Sequence, residues 1–164
     1  MKSQTEFTET QKVDTLWPPA LMALTLVVNW YVYFRQGFAD IRYFYFSIGS
    51  VALLCAFLLS LRLYIVIDKN AINYRFFPFH FSWKKIMWGD VETAGIRKYK
   101  PISEYGGWGL RYGFKGKAYS VSGRIGLQLY LQNGKKILFG TAKPEELSDF
   151  LNAAGIPVKI KTWS

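Results

Sequence analysis

The stretch Arg62 to Phe77, RLYIVIDKNAINYRFF, decides the fold class of most of this 164-residue chain. Before its centre, apolar side chains recur at every second position, and after its centre Ile72, Tyr74 and Phe76 share one face. A period of two residues is typical of a half-buried β-strand. Between the two runs lies Asp68-Lys69-Asn70, and Asp and Asn tolerate the backbone of a tight turn. The stretch therefore predicts a β-hairpin.

Further strands and one helix are predicted after this hairpin. The clearest is a second hairpin in LQLYLQNGKKILFG, Leu127 to Gly140, which reverses at Asn133-Gly134. Residues 143–154 then show an apolar stripe, with Pro144 and two acids in the first turn, as in an amphipathic helix. We predict that residues 62–164 form a mainly antiparallel β domain of about seven strands, a small barrel or bent sandwich closed by one C-terminal α-helix.

Two apolar segments, residues 16–34 and 43–61, precede the β domain, and each has 19 residues without a charge. As helices they would be about 28 Å long, close to the thickness of one hydrocarbon core. They predict a two-helix transmembrane hairpin over residues 16–61, after a polar N-terminal leader at 1–15. The alternative is a pair of buried helices in a soluble protein.

The basic residues near the two segments predict which side the domain occupies. Five lie on the side of the chain termini and two in the linker. Since cytoplasmic loops carry the excess of Lys and Arg, both termini and the β domain are expected in the cytoplasm.

Four stretches carry a resemblance to a known family: YIVIDKNAINYRFFPF from Tyr64, WGDV from Trp88, IRKYKPISEYGGWGLR from Ile96 and GLQLYLQNGKKILFGTAKPEEL from Gly126. The chain resembles small bacterial membrane proteins that have two spans and a pleckstrin-homology-like cytoplasmic domain. This resemblance implies a pleckstrin-homology-like barrel of about seven strands and a location in the bacterial inner membrane, without an activity. It does not imply specific phosphoinositide binding, because Phe77 stands where those domains have the last of three basic residues.

The positive charge of the chain, +10 in total, lies entirely after residue 61, where 17 basic residues face 7 acids. Such a domain favours an anionic neighbour. A cluster in and around the glycine-rich stretch EYGGWGLRYGFKGK is the predicted surface for anionic lipid headgroups or a partner: Arg97, Lys98, Lys100, Arg111, Lys115 and Lys117. The alternative is that its glycines make turns and its lysines are solvated.

Several chemistries are excluded or disfavoured by the sequence. A phosphate loop needs Ser or Thr after Gly-Lys, and here Ala118 follows Gly116-Lys117. The single Cys55, an apolar packing residue, and the single His80 exclude a normal His/Cys zinc site. Because no nucleophile is paired with a base, we predict no catalytic residue, no metal and no cofactor. A membrane tether also argues against a nucleic-acid partner.

The sequence thus predicts a non-enzymatic, membrane-anchored binding or scaffold module at the cytoplasmic face. Its expected partners are the lipid bilayer, anionic headgroups, and a partner protein or a second copy. The alternative is a subunit of a membrane enzyme or transporter complex whose active site needs another chain. Asn29, a polar residue within the first apolar segment, would then have a role.

Overall fold

A computed structural model of the protein describes residues 6–13, 17–35, 41–113, 116–156 and 159–160. The chain divides into a helical unit, residues 13–61, and a β unit that combines residues 1–12 with residues 62–164. The start of the chain therefore belongs to the β unit, although the whole helical unit separates the two in sequence. A strand at Glu6–Lys12 thus lies within the segment 1–15, for which the sequence predicted only a polar leader.

The helical unit contains two helices, α1 (Trp17–Arg35) and α2 (Ile41–Ser60). They pack against each other through Tyr33 and Phe44, whose ring centroids are 5.5 Å apart. The Ser47 hydroxyl donates a hydrogen bond to Asn29 Oδ1, and Asn29 Nδ2 donates one to the Thr25 carbonyl at 2.8 Å. Asn29 thus finds its polar partners inside the helical unit, which removes the particular reason for assigning it a role toward another chain.

The prediction of a two-helix transmembrane hairpin is wrong. Among the described residues, α2 alone is long and apolar enough to cross a membrane by length and composition. The first helix has the length, but Thr25, Asn29 and several Tyr and Trp rings with polar atoms interrupt its aliphatic residues. A segment without charges is therefore not necessarily apolar enough to span a bilayer.

The first sheet of the β unit has the strand order β1-β2-β3-β4 and is antiparallel. Its strands are β1 (Glu6–Lys12), β2 (Arg62–Asp68), β3 (Ala71–Phe77) and β4 (Lys84–Met87). The predicted hairpin is confirmed: Ile72, Tyr74 and Phe76 are all buried on one face of β3. The turn between β2 and β3 is held by Asp68 Oδ1, which accepts the backbone N–H groups of Asn70 at 2.7 Å and Ala71 at 2.9 Å.

The second sheet has the order β10-β5-β8-β9-β7-β6. Its strands are β5 (Val91–Lys98), β6 (Gly109–Gly113), β7 (Gly116–Ser120), β8 (Ile125–Leu131), β9 (Lys136–Gly140) and β10 (Lys159–Ile160). The hairpin at Asn133-Gly134 is confirmed by the antiparallel pairing of β8 with β9. Two pairs in this sheet are parallel, β7 with β9 and β10 with β5.

Two short helices accompany this sheet. One is α3 (Pro101–Tyr105), between β5 and β6, and the other is α4 (Pro144–Ala153), which falls inside the range 143–154 expected for a helix. The second packs on β1, where Phe7 and Phe150 have ring centroids 6.4 Å apart.

The prediction of one pleckstrin-homology-like barrel closed by a helix is also wrong, because the strands form two separate sheets. A 3-10 turn at Trp88–Asp90 separates β4 from β5, and β5 pairs with β8 instead of continuing the first sheet. The buried Trp88 fixes this break by donating its indole N–H to the Asp68 carbonyl at 2.9 Å. The helix α4 covers β1 and does not close a barrel.

The two sheets meet through an aromatic cluster. The Tyr74 ring on β3 lies 5.0 Å from the Tyr119 ring on β7 and 4.8 Å from the Phe139 ring on β9, measured between centroids. His80, in the loop after β3, is buried with its ring 5.7 Å from that of Tyr119. Large rings in such contact supply much of the apolar area that holds the sheets together.

A buried polar cluster ties β1 to the chain in front of α4. The carboxylate of Glu9 accepts hydrogen bonds from the Thr141 hydroxyl at 2.6 Å, the Ala142 N–H at 2.7 Å and the Gln11 amide at 2.9 Å. Gln11 also donates to the Gly140 carbonyl. Both Glu9 and Gln11 are only 4% exposed, so β1 is an integral strand of the β unit.

Candidate functional site

Arg97, the first residue of the predicted basic surface, is occupied by internal contacts. Its guanidinium forms an ion pair with Glu104 at 2.8 Å and donates to Tyr105 Oη at 3.3 Å and to Gln128 Oε1 at 3.2 Å. The same carboxylate accepts the Lys100 backbone N–H at 2.9 Å. Arg97 therefore fixes α3 against β5 and β8, and its charge is already compensated.

Of three other predicted residues, Lys98, Lys100 and Arg111, only Lys100 lines a groove beside α3. The groove, of about 300 Å³, is lined by Lys100, Pro101, Ile102, Ser103, Trp108 and Arg124. Lys98 is exposed at the end of β5. Arg111 is exposed on β6 and donates its Nε–H to the Trp108 carbonyl at 2.9 Å. Trp108 itself is 39% exposed and donates its indole N–H to the Gly123 carbonyl at 2.9 Å, so it is an anchored surface residue.

The last two residues of the predicted basic surface are Lys115 and Lys117, and neither is among the described residues that line this groove. Lys117 lines a different and larger cleft, about 440 Å³ in volume, at the other end of the β6–β7 hairpin. Lys115 lies outside the described residues. The structure thus distributes the predicted cluster over an internal ion pair, a groove and a cleft.

This larger cleft, which we name the lysine cleft, combines side chains from both sheets. It is lined by Tyr74, Lys84, Tyr112, Gly113, Gly116, Lys117, Tyr119, Gly134, Lys135, Lys136 and Ile137. Four of these are lysines, and no described acidic residue lines the cleft. None of the four is paired with a carboxylate of the described residues, since the ion pairs found there join other side chains. The lysine cleft therefore concentrates positive charge that no described carboxylate compensates, and three tyrosines contribute to its lining.

Turn and strand geometry bring the lysines together. Lys84 begins β4 and stands opposite Tyr74 in the sheet register, whereas Lys135 and Lys136 follow the Asn133-Gly134 turn. The parallel pairing of β7 with β9 sets Lys117 opposite Ile137. The close approach of these two strands depends on a glycine at the start of β7.

That glycine is Gly116. Its φ is +106°, a value that L side chains rarely adopt, and a Cβ at this position would overlap the Lys136 carbonyl. Gly113, on the facing strand, is also constrained, because a Cβ there would lie 2.8 Å from the Glu104 carbonyl oxygen. Gly116 is thus required by the packing that forms the cleft, and Gly113 by the close approach of α3.

The positive charges of the cleft affect the pKa of the nearby His80. Burial lowers the pKa of His80, and the nearby charges of Lys84 and Lys117 lower it further. Burial, together with the neighbouring Tyr74, raises the pKa of the Tyr119 hydroxyl well above its ordinary value. Tyr119 is thus a buried neutral side chain next to the cleft lysines.

The cation–π contacts order two of the lysines. Lys117 Nζ lies 4.9 Å from the centre of the Tyr112 ring, and Lys136 Nζ lies 5.5 Å from the centre of the Tyr130 ring. Such contacts hold an ammonium group in place without neutralising it. Lys117 remains available to an anion that enters the cleft, whereas the Lys136 ammonium lies over a ring that does not line it.

Lys84, Lys135 and Lys136 are the residues that the sequence analysis missed. The sequence does contain two lysine pairs beside strand ends, Lys84-Lys85 and Lys135-Lys136, which could have indicated a second basic site. What the pattern could not supply was the pairing of β7 with β9, which is parallel and skips β8. Without that pairing, the lysines of distant hairpins cannot be assigned to one site.

Neither a metal centre nor a relative assigns a chemistry to this site. Within the described ranges, no three His, Cys, Asp or Glu side chains are grouped so that they could hold a metal ion. The chain matches no model of a known protein family, and no curated protein shows significant similarity to it.

Proposed function

We propose that the protein is a non-enzymatic, membrane-anchored binding module whose lysine cleft takes the phosphate group of an anionic lipid headgroup. The observation that carries this proposal is the convergence of Lys84, Lys117, Lys135 and Lys136 on one cleft without an acid of the described residues. A phosphate offers several acceptor oxygens to such a set of ammonium groups.

The helical unit supports the anchoring, with α2 as its most apolar element. The β1–β2 ladder restricts how this unit can enter a membrane. Since Lys12 pairs with Arg62, the chain enters and leaves the helical unit at neighbouring positions of one sheet. The β unit therefore lies wholly on one side of a membrane that holds α2. The excess of basic residues on this side favours the cytoplasmic face.

A lipid source for the anion follows from this tether. Because only Leu61 separates α2 from β2, the β unit cannot move far from the surface in which α2 would be held. Each lysine near an anionic surface contributes about 1 kcal/mol of attraction. Loss of two cleft lysines should therefore weaken headgroup binding by about 30-fold.

The test compares the full-length protein with two double variants in detergent micelles. Lys84→Gln with Lys117→Gln removes charge from the cleft, while Lys98→Gln with Lys100→Gln removes the same charge from an exposed site outside it. Anionic phospholipid is added to each protein, and the lipids retained per chain are counted by native mass spectrometry. Zwitterionic phospholipid of the same chain length measures binding that does not depend on the headgroup charge.

We expect the wild type and the exposed-site variant to retain anionic lipid, and the cleft variant to lose this preference. Equal retention by all three proteins would refute the proposal, because the bound lipid would then contact other surfaces. If anionic lipid is not retained but an acidic peptide protects the cleft lysines from acylation, the site belongs to a protein partner and the lipid proposal is wrong.

A further inference from the structure

The segment 77–83, which we name the aromatic loop, runs from the last residue of β3 to the residue before β4 and exposes several large rings. Phe81 is 82% exposed and Trp83 is 49% exposed, with Phe77 and Phe79 also on the surface. Four large apolar side chains in seven residues form a concentrated patch, unlike the single exposed apolar residues common on soluble domains. The patch therefore needs a physical explanation.

The aromatic loop is held in a defined shape. The buried His80 donates its backbone N–H to the Phe76 carbonyl at 2.7 Å, and Phe79 stacks on Phe76 with ring centroids 5.7 Å apart. Trp83 is fixed by Arg75, whose guanidinium carbon lies 5.3 Å from the centre of the indole ring. The loop thus presents its rings from a rigid base.

The sheet register gives the position of this patch relative to the chain. Phe77, its first residue, pairs with Arg62, and Arg62 is the second residue after Ser60, the end of α2. Two peptide steps and one strand spacing amount to about 13 Å at most. Chain connection alone therefore keeps the base of the aromatic loop close to the point where the chain leaves α2.

We propose that the aromatic loop is a second membrane-contact site, which inserts its exposed rings into the interfacial region of the bilayer that holds the helical unit. A Trp ring suits the headgroup level, and Phe rings suit the adjacent boundary with the acyl chains. Basic side chains border the loop, with Arg62 opposite its first residue and the exposed Lys84 and Lys85 directly after its last, and these complement anionic headgroups. The inference depends on the proposed membrane anchoring but not on ligand binding in the lysine cleft.

Its consequence is a fixed orientation of the β unit. The two chain connections, which lie next to each other at Lys12 and Arg62, act as a single tether about which the β unit can rotate, whereas this tether and an inserted loop define an axis along the membrane surface. Lys84, the first residue after the loop, also lines the lysine cleft, so insertion would hold the cleft beside the headgroups.

Spin labels on the full-length protein in lipid vesicles test this proposal. The single cysteine is first removed by Cys55→Ala, and one label is then attached at Phe81→Cys or, with all rings retained, at Ser82→Cys. Leu53→Cys on α2 reports on the anchor, and Asp149→Cys on the exposed face of α4 is the aqueous control. Collision of each label with oxygen, which concentrates in lipid, is compared with collision with a water-soluble nickel chelate.

We expect labels 81 and 82 to share the high oxygen-to-nickel ratio of label 53, opposite to that of label 149. Labels 81 and 82 with an aqueous ratio beside a lipid-exposed label 53 would overturn the loop contact and leave the anchor intact. An aqueous ratio at label 53 as well would overturn the anchor and the loop contact together. Shielding of labels 81 and 82 from both reagents would also overturn the proposal, because it shows that the loop is buried against protein.

Discussion

Replacing Glu9 by alanine should destabilise the β unit strongly, although Glu9 lies near the start of the chain. Its buried carboxylate accepts three hydrogen bonds, from Thr141, Ala142 and Gln11. Hydrogen bonds to a charged acceptor contribute roughly 1.5–3 kcal/mol each, and a buried donor that loses its partner costs a similar amount. Ala142 is exposed and can bond to water instead, so two of the three interactions are lost without replacement.

The opposing effect is the cost of burying the charge, which the substitution removes. Two lost interactions of about 2 kcal/mol each, reduced by this relief, give a net loss of about 2–3 kcal/mol in the free energy of unfolding. For a unit of this size that corresponds to a fall in Tm of roughly 10 °C.

The measurement is thermal unfolding of the full-length protein in detergent, followed by near-ultraviolet circular dichroism, because the aromatic cluster lies between the sheets. Glu6→Ala is the matched control, since it makes the same chemical change at an exposed position of the same strand. Glu6 stands opposite Asp68, so its loss should change stability only slightly. A Tm for Glu9→Ala within a degree or two of that for Glu6→Ala would refute the reasoning, and a higher Tm would show that the desolvation cost of Glu9 exceeds its hydrogen bonds.

Three further predictions concern the lysine cleft. Lys117→Gln should raise the pKa of His80, measured by the NMR titration of this single histidine, whereas Lys98→Gln should leave it unchanged; equal shifts would contradict the local origin of the effect. The folded-state pKa of His80 is lowered, so the contribution of His80 to stability is complete above the unfolded pKa of about 6.5 and is lost as the pH falls toward the folded value. The slope of Tm against pH below about 6.5 should therefore be flatter in His80→Phe than in the wild type. Gly116→Ala should disrupt the β7–β9 contact and lower Tm sharply, while Gly89→Ala, where a Cβ meets open space, should not; similar Tm values for the two variants would show that the strands can separate at little cost.

The local parts of the fold could be predicted from the sequence. The β2–β3 hairpin follows from a strict period of two residues and from the Asp68–Asn70 turn, and the β8–β9 hairpin from Asn133-Gly134. Both patterns involve residues that are close together in the sequence, so they can be recognised without knowing the fold. The helix α4 is predictable for the same reason.

Long-range pairing could not be predicted in this way. Glu9 and Gln11 are polar in sequence, and their burial on β1 becomes intelligible only with Thr141 and Gly140 beside them. The break at Trp88 depends on a hydrogen bond to the Asp68 carbonyl, twenty residues away. A regular run of strands therefore indicated one barrel, although distant contacts divide the strands into two sheets.

The candidate site shows the same limit. Arg97 and Lys117 look equivalent in a basic stretch, but the ion pair with Glu104 removes Arg97 from the surface charge, whereas Lys117 joins lysines of other hairpins. Composition predicts that a basic surface exists. The location of its uncompensated charge depends on which carboxylates the fold brings near each cation.

The pairing of β1 with β2 also has a consequence for synthesis. The ribosome releases β1 first, but its partner β2 emerges only after the entire helical unit has been made, so β1 stays unpaired throughout that interval. During translation of several chains on one messenger, a waiting β1 can be captured by the β2 of a neighbouring nascent chain, which would produce an exchanged dimer with the same ladder. Rapid folding of the helical unit shortens this interval and therefore favours self-pairing over exchange.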